Sequence, residues 1–370
     1  MFPTALLLVA TAGATVSAAA APTRRNVLYL IADDFRPEMN AAYRQSHVHT
    51  PALDRLAAEA LTFRFAYCQQ AVCGPSRNSF MSGRVPDRTG ISVNPKSPRS
   101  FRDECRGGEN CSAWTTMPGH FKKAGYITLG GGKTFHPGSP PNWDQPSSWS
   151  EDALRCATWD SDGACSYFPF SYWIQPNASQ PKQPCPGAAG PAGGEPGGKG
   201  SGECTPEDTF CSLPDSDVMF YDHYLANHTL TLIRNYSRGQ WGDRPFFFMA
   251  GFARPHAPWR VPERFVQLYP EGSIPMPKHR TAPAGMPGIA YHRQGVYLAD
   301  GSAHIPTPTQ PISAAVTEDW RRLYFAAVSW LDFQVGRLLD ELTSTGLEEE
   351  TIVLIHGGAR SRVCAAALSA

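Results

Sequence analysis

The chain has 370 residues, with 33 Lys and Arg against 33 Asp and Glu, and therefore no formal net charge at neutral pH. Such a balance gives no charge-driven affinity for nucleic acid, while a hydrophobic share of 42% and a charged share of 18% exclude wholesale disorder. With 33 Gly and 34 Pro the chain is loop-rich, which argues against a helical bundle or coiled coil.

In chain order, residues 1–22 read as a secretory leader: an apolar run through Leu6, Leu7, Leu8 and Val9, then an alanine-rich stretch, with no charge before Arg24. The alternative is an ordinary apolar amino terminus. No later stretch has the ~20 uninterrupted apolar residues of a membrane span. The expectation is a protein of the secretory pathway without a membrane span, extracellular or in a lysosome-like compartment. Ten cysteines suit an oxidising compartment. The close pairs are Cys105 with Cys111, Cys156 with Cys165, and Cys185 with Cys204 or Cys211. Sequons for N-glycosylation begin at Asn110, Asn177, Asn227 and Asn235.

Residues 26–32, Asn-Val-Leu-Tyr-Leu-Ile-Ala, form the continuous apolar run of a strand buried on both faces of a parallel sheet, and end in Asp33 and Asp34. Thr50 as N-cap and Pro51 at the first helical position open a helix whose apolar face is Leu53, Leu56, Ala57, Ala60 and Leu61. A second apolar segment, 62–67, leads to Cys73-Gly-Pro-Ser-Arg77 and a helix predicted from Asn78. Helical patterns at 113–124 and 218–236 precede apolar strands at 126–129 and 246–252. Residues 185–204 are a low-complexity insertion, and 270–316 read as long surface excursions. A helix then spans about 318–342, stopped by Gly346. Helices alternating with buried strands predict an α/β fold with a mostly parallel sheet, its ligand site beyond the carboxyl ends of the strands.

Paired carboxylates at a strand end attract a hard divalent cation, or else form a solvated turn. Cys73 at the mouth of a helix, beside Arg77, is a candidate nucleophile by the helix dipole and the neighbouring charge; its other reading is a disulfide with Cys68.

These segments, with Gly132-Lys-Thr-Phe-His-Pro-Gly138, Gly251-Phe-Ala-Arg-Pro-His-Ala-Pro-Trp259 and residues 324–339, resemble the sulfatases of the alkaline phosphatase superfamily, and within them those acting on 2-sulfated uronate. The Cys-x-Pro-Ser-Arg motif is highly specific, and the matches keep one order over most of residues 26–355. The resemblance implies a three-layer α/β/α sandwich with residues 23–356 as the catalytic domain. It implies that a formylglycine-generating enzyme oxidises Cys73 to formylglycine, whose hydrated aldehyde is the nucleophile and, by collapsing, releases sulfate. It further implies Ca²⁺ held by Asp33, Asp34 and residue 73, with Arg77 stabilising the ionised hydrate. Lys133, His136 and His256 would surround the sulfate or protonate the leaving alcohol. The substrate implied is a sulfated glycosaminoglycan or related polysaccharide. A phosphomonoester or phosphonate hydrolase is the weaker alternative within the superfamily.

Thr351-Ile-Val-Leu-Ile-His356 matches the start of a family strand, but after His356 the sequence leaves the family pattern, which normally continues into Ser-Asp-His-Gly or Ser-Asp-Asn-Gly. Residues 357–370 form a divergent tail, and the resemblance leaves the further Ca²⁺ ligands, another active-site Lys and the carboxyl-terminal subdomain without counterparts. The alternative expectation is accordingly a secreted sulfatase-like protein without turnover.

Overall fold

A computed structural model describes residues 24–94, 99–108, 110–140, 143–150, 210–213, 220–257, 259–281, 283–287, 296–297, 303–304 and 313–358. The predicted leader, the low-complexity insertion and the tail from residue 359 lie outside them, as do Cys156, Cys165, Cys185, Cys204 and Asn177. The strands are β1 (Asn26–Ala32), β2 (Ile127–Gly132), β3 (Phe210–Leu213), β4 (Phe246–Phe252), β5 (Trp259–Pro262), β6 (Val296–Tyr297), β7 (Ala303–His304) and β8 (Thr351–Gly357). The helices are α1 (Asn40–Tyr43), α2 (Pro51–Glu59), α3 (Cys73–Ser82), α4 (Pro86–Thr89), α5 (Phe101–Glu104), α6 (Met117–Lys123), α7 (Tyr221–Ser237), α8 (Glu263–Gln267) and α9 (Ala314–Ser344).

Four strands form the main sheet in the order β2-β4-β1-β8, every neighbouring pair parallel. Helices cover both faces, as alternation along β4 shows. Tyr236 of α7 packs on Phe246 and Phe248, whereas Phe121 of α6 stacks on the intervening Phe247 at 4.3 Å. β4 is buried throughout and β1 everywhere but at half-buried Val27, which is why both read as unbroken apolar runs. The α/β fold with a parallel central sheet is thus as expected. Strand β2 runs further than predicted, through Gly130 and Gly131. A Cβ on Gly130 would lie 2.6 Å from the ring of Trp149, and one on Gly131 would lie 3.0 Å from Leu225, so the backbone is sandwiched between two layers where a side chain has no room. Among the described residues no helix is long and apolar enough to cross a membrane.

Three local expectations are corrected. The segment 62–67 joins no strand and exposes its aromatics, Phe65 being 81% exposed. The helix predicted from Asn78 starts five residues earlier, at Cys73. Its small polar first turn is made tolerable by tertiary contacts: Asn94 Oδ1 accepts the N–H of Gly74 at 2.7 Å, and Pro75 has no N–H to satisfy. The pattern at 113–124 breaks into a short 3-10 turn and α6, because Thr116 caps a new start by accepting from the N–H of Gly119. The expected Cys105–Cys111 disulfide is present; Cys68 and Cys73 are both thiols, so they are not joined.

Thr50 does stand at the N-cap of α2, yet its hydroxyl donates to Asp54 and does not cap the backbone. The capping carboxylate comes from α9: Asp332 accepts the N–H of Ala52 at 3.2 Å and of Leu53 at 2.7 Å. Burial raises the Asp332 carboxyl to about 7, despite those two donors. A carboxyl raised in the fold binds its proton more tightly there than in the unfolded chain, so stability is fully present at low pH and falls as pH rises from about 4 towards 7. The Asp332→Asn variant should flatten that slope, on the order of 2–4 kcal/mol over the window. Urea unfolding at pH 4.5 and 7.5 measures it, and equal slopes in parent and variant would show that Asp332 does not cause it.

Candidate active site

Asp33 and Asp34 continue β1 beyond the sheet. Asp34 takes a left-handed backbone (φ 57°), and the buried phenol of Tyr324, on α9, secures the turn by donating to Asp34 O at 3.0 Å and accepting from Arg36 N at 2.9 Å. Neighbouring strand ends are laced to it: Asp33 N donates to Phe252 O at 3.1 Å, Lys133 N to Gly251 O at 2.7 Å, and Gly358 N to Ala32 O at 2.8 Å. The ends of β1, β2, β4 and β8 therefore meet at one place, as the strand-end rule for parallel sheets requires.

Asp33 is fully buried and is the hub. Arg77 Nη2, from the second turn of α3, lies 3.0 Å from Oδ1, and Lys133 Nζ pairs with Oδ2. Arg77 also donates to the carbonyls of Lys133 and Thr134, so one guanidinium ties α3 to the end of β2. Burial alone would raise the Asp33 carboxyl, but Lys133, Arg77 and His256 together hold it far below the usual carboxylate range. Nε2 of His256 lies 3.6 Å from Asp34 Oδ2 and 4.0 Å from Asp33 Oδ2. Its Nδ1 carries a proton donated to Ala257 O. His136 likewise donates from Nδ1, to Pro137 O at 2.9 Å. Burial and the charge of Lys133 lower its pKa to about 4, so the ring is neutral near pH 7 with an open lone pair on Nε2.

Cys73 opens α3 with its Sγ 3.6 and 3.8 Å from the two oxygens of Asp33. The helix start does not make it an activated thiolate, as the sequence had suggested. Burial, then the charge of Asp33, pushes the thiol up to about 12, and these outweigh the helix end and Arg77. As a thiol, Cys73 is a poor nucleophile in this setting.

Of the residues singled out from sequence, Asp33, Asp34, Cys73, Arg77, Lys133 and His256 meet in one cluster, with His136 beside it. Asp33, Cys73 and His256 each offer a metal-ligand atom, all within 4.8 Å of one another; Asp34 faces the same histidine. Two adjacent carboxylates fit a hard cation such as Ca²⁺, whereas sulfur and imidazole do not. An oxygen function at residue 73 would complete the match. His356 takes no part: its ring lies between Tyr29 and Phe80, with Nε2 2.9 Å from the Tyr29 hydroxyl. Sequence reading missed Asp222 and Asp332, since a lone acidic residue in an amphipathic helix looks like part of a solvated face.

Gly251 permits the tight crossing of β2 and β4. A Cβ there would run into the backbone carbonyl of Lys133, and rigid backbone cannot move aside cheaply. Gly251→Ala should cost about 2–4 kcal/mol in urea unfolding and should displace Lys133 from Asp33. A loss below about 0.5 kcal/mol, the level of an indifferent surface change, would count against this crossing.

A buried carboxylate gripped by two fixed cations thus lies beyond the carboxyl ends of a parallel sheet. The chain belongs to the sulfatase family, whose family model matches residues 25–358. It is similar to human iduronate 2-sulfatase, with 32% identity over 346 residues, 90% of this chain and 55% of that protein. The chain thus spans about half the length of the curated relatives it matches. Two solved structures share the fold: a Bacteroides thetaiotaomicron protein from work on the metabolism of multiple glycosaminoglycans (TM-score 0.52, 20% identity, covering 93% of this chain and 66% of that one) and the phosphonate monoester hydrolase of Agrobacterium radiobacter (TM-score 0.52, 19% identity, 90% and 62%).

Proposed function

We propose that the protein hydrolyses sulfuric esters, removing the 2-sulfate of uronate residues in a glycosaminoglycan or related polysaccharide. The observation that carries this is the placement of Cys73, within the Cys-x-Pro-Ser-Arg motif, against a carboxylate that Arg77 and Lys133 also grip. The likeness to iduronate 2-sulfatase supports the choice of ester.

Oxidation of Cys73 to formylglycine by a generating enzyme would supply a hydrated aldehyde in place of a thiol that its surroundings keep protonated. A calcium ion held by Asp33, Asp34 and the oxygen of the modified residue would supply a Lewis acid toward a sulfate oxygen. The chain's own groups do the rest. Lys133 and Arg77 are cations already fixed in a dry setting, so they stabilise negative charge on the reacting oxygens without reorganising. His136, neutral and with Nδ1 committed to a carbonyl, takes up a proton at Nε2. His256, in the turn after β4, exchanges a proton with the departing alcohol.

The test has two arms. Mass spectrometry of the tryptic peptide ending at Arg77, from a host that has the converting enzyme, should show the aldehyde or its hydrate. The same protein should release sulfate from a disaccharide ending in 2-sulfated uronate. Only thiol in the peptide, or turnover of a phosphonate monoester in place of the sulfate, would overturn the reading.

A further inference from the structure

We propose that Asp222 is a positioning residue that sets His256 toward the reacting centre, an inference that rests on the function proposed above. Asp222 stands in the first turn of α7 and is 2% exposed. Its Oδ1 accepts the N–H of Ala253 at 2.7 Å and its Oδ2 that of Arg254 at 3.0 Å. These are the first two amides after β4, where the sheet ladder stops and can no longer satisfy them. His256 follows two residues later.

The turn is closed on this anchor by its own bonds. His256 N donates to Ala253 O at 3.0 Å, Arg254 Nη1 donates to His256 O at 3.2 Å, and Trp259 Nε1 donates to Pro255 O at 2.8 Å. The backbone of residue 256 is therefore hung from Ala253 and Arg254, and these from one carboxylate.

A buried carboxylate is a costly means of holding two amides in a loop, since water would serve them at the surface. What it supplies is a rigid two-oxygen bite that matches two successive N–H groups. Asparagine has one acceptor oxygen, and its amide nitrogen would point a donor at a donor. The consequence lies at the other end of the turn, where Nε2 of His256 is 3.6 Å from Asp34. A shift of about 1 Å there is enough to cost on the order of 100-fold in rate.

The full chain, produced with the converting enzyme, is compared as parent, Asp222→Asn, His256→Ala and the double variant, using 4-methylumbelliferyl sulfate. Asp222→Asn should lower kcat by roughly 10- to 100-fold with little change in KM, and the double variant should be no slower than His256→Ala alone, because both changes remove one function. Losses that multiply in the double variant would place the action of Asp222 elsewhere and overturn the inference. His256→Ala turning over at the parent rate would overturn the reading of the site itself. A readout independent of turnover is amide hydrogen exchange. In the parent, the Ala253 and Arg254 amides should exchange as slowly as those of β4, and in Asp222→Asn much faster, with altered ¹⁵N shifts of the His256 ring. Fast exchange of both amides in the parent would refute the anchor outright.

Discussion

Replacement of Cys73 by alanine is expected to abolish sulfate release, by at least about 10⁴-fold in kcat, the scale on which removal of a nucleophile acts. The fold should survive. Cys73 is a small side chain, 5% exposed, whose Sγ makes only long contacts with Asp33, and alanine favours a helix start no less than cysteine. Thermal unfolding within a few degrees of the parent, together with lost turnover, is the predicted pair of results. Serine is the more informative variant, because it restores an oxygen at the same place without a second hydroxyl. It should remain at least about 10³-fold below the parent if release depends on that second group. Parent-like turnover in either variant would remove residue 73 from the chemistry.

The largest effect on stability is expected from Arg77→Met. Arg77 and Asp33 are both completely buried, and loss of the guanidinium leaves a carboxylate with half its compensation gone and two carbonyls without their donor. Breaking a buried pair from one side typically costs about 3–5 kcal/mol. The double variant Asp33→Asn with Arg77→Met should recover part of that loss, since it removes the stranded charge as well. The sign with pH is also fixed. A carboxyl held below its unfolded value contributes stability that is fully present above about pH 4, and loses it only as pH falls from there toward the folded value. In Arg77→Met burial is less opposed and the Asp33 carboxyl rises, so the penalty, read by urea unfolding, should be no smaller at pH 7 than at pH 5. A penalty under about 1 kcal/mol, the range of an exposed pair, would show that the contact is worth no more than a surface one.

Strands β1 and β4 were legible because burial on both faces leaves an unbroken apolar signature, Asp33 and Asp34 as the charges that end one of them, and β8, half-buried at Ile352 and Leu354, only through its likeness to the family. Helix α9 was legible from its broad apolar face, and its end from Gly346, whose φ of 72° only glycine takes easily. The start of α3 was not. Cys-Gly-Pro-Ser has poor intrinsic helicity, and what holds it is distant in sequence: Asn94 on the amide of Gly74, and Asp33 on Arg77. The same distance hid Asp222 and Asp332, whose partners lie 31 or more residues away along the chain. The motif located Cys73, but elementary electrostatics misjudged its thiol, because the helix-end argument assumes a solvated surface and the site is dry.

The burial of Cys73 sets a schedule for its chemistry. In the folded chain Cys73 is only 5% exposed, too little for a second enzyme to close its own active site around it. Strand β8, which pairs with β1 along Asn26–Ala32, is made only after nearly 280 further residues. At ~5–20 residues per second this leaves roughly 15 to 55 s during which the Cys73 segment has emerged but the sheet cannot be complete. The modification proposed for Cys73 would belong to that interval. Its extent would then depend on how fast the chain is made relative to the supply of the converting enzyme, and a finished molecule that missed the encounter would keep its thiol.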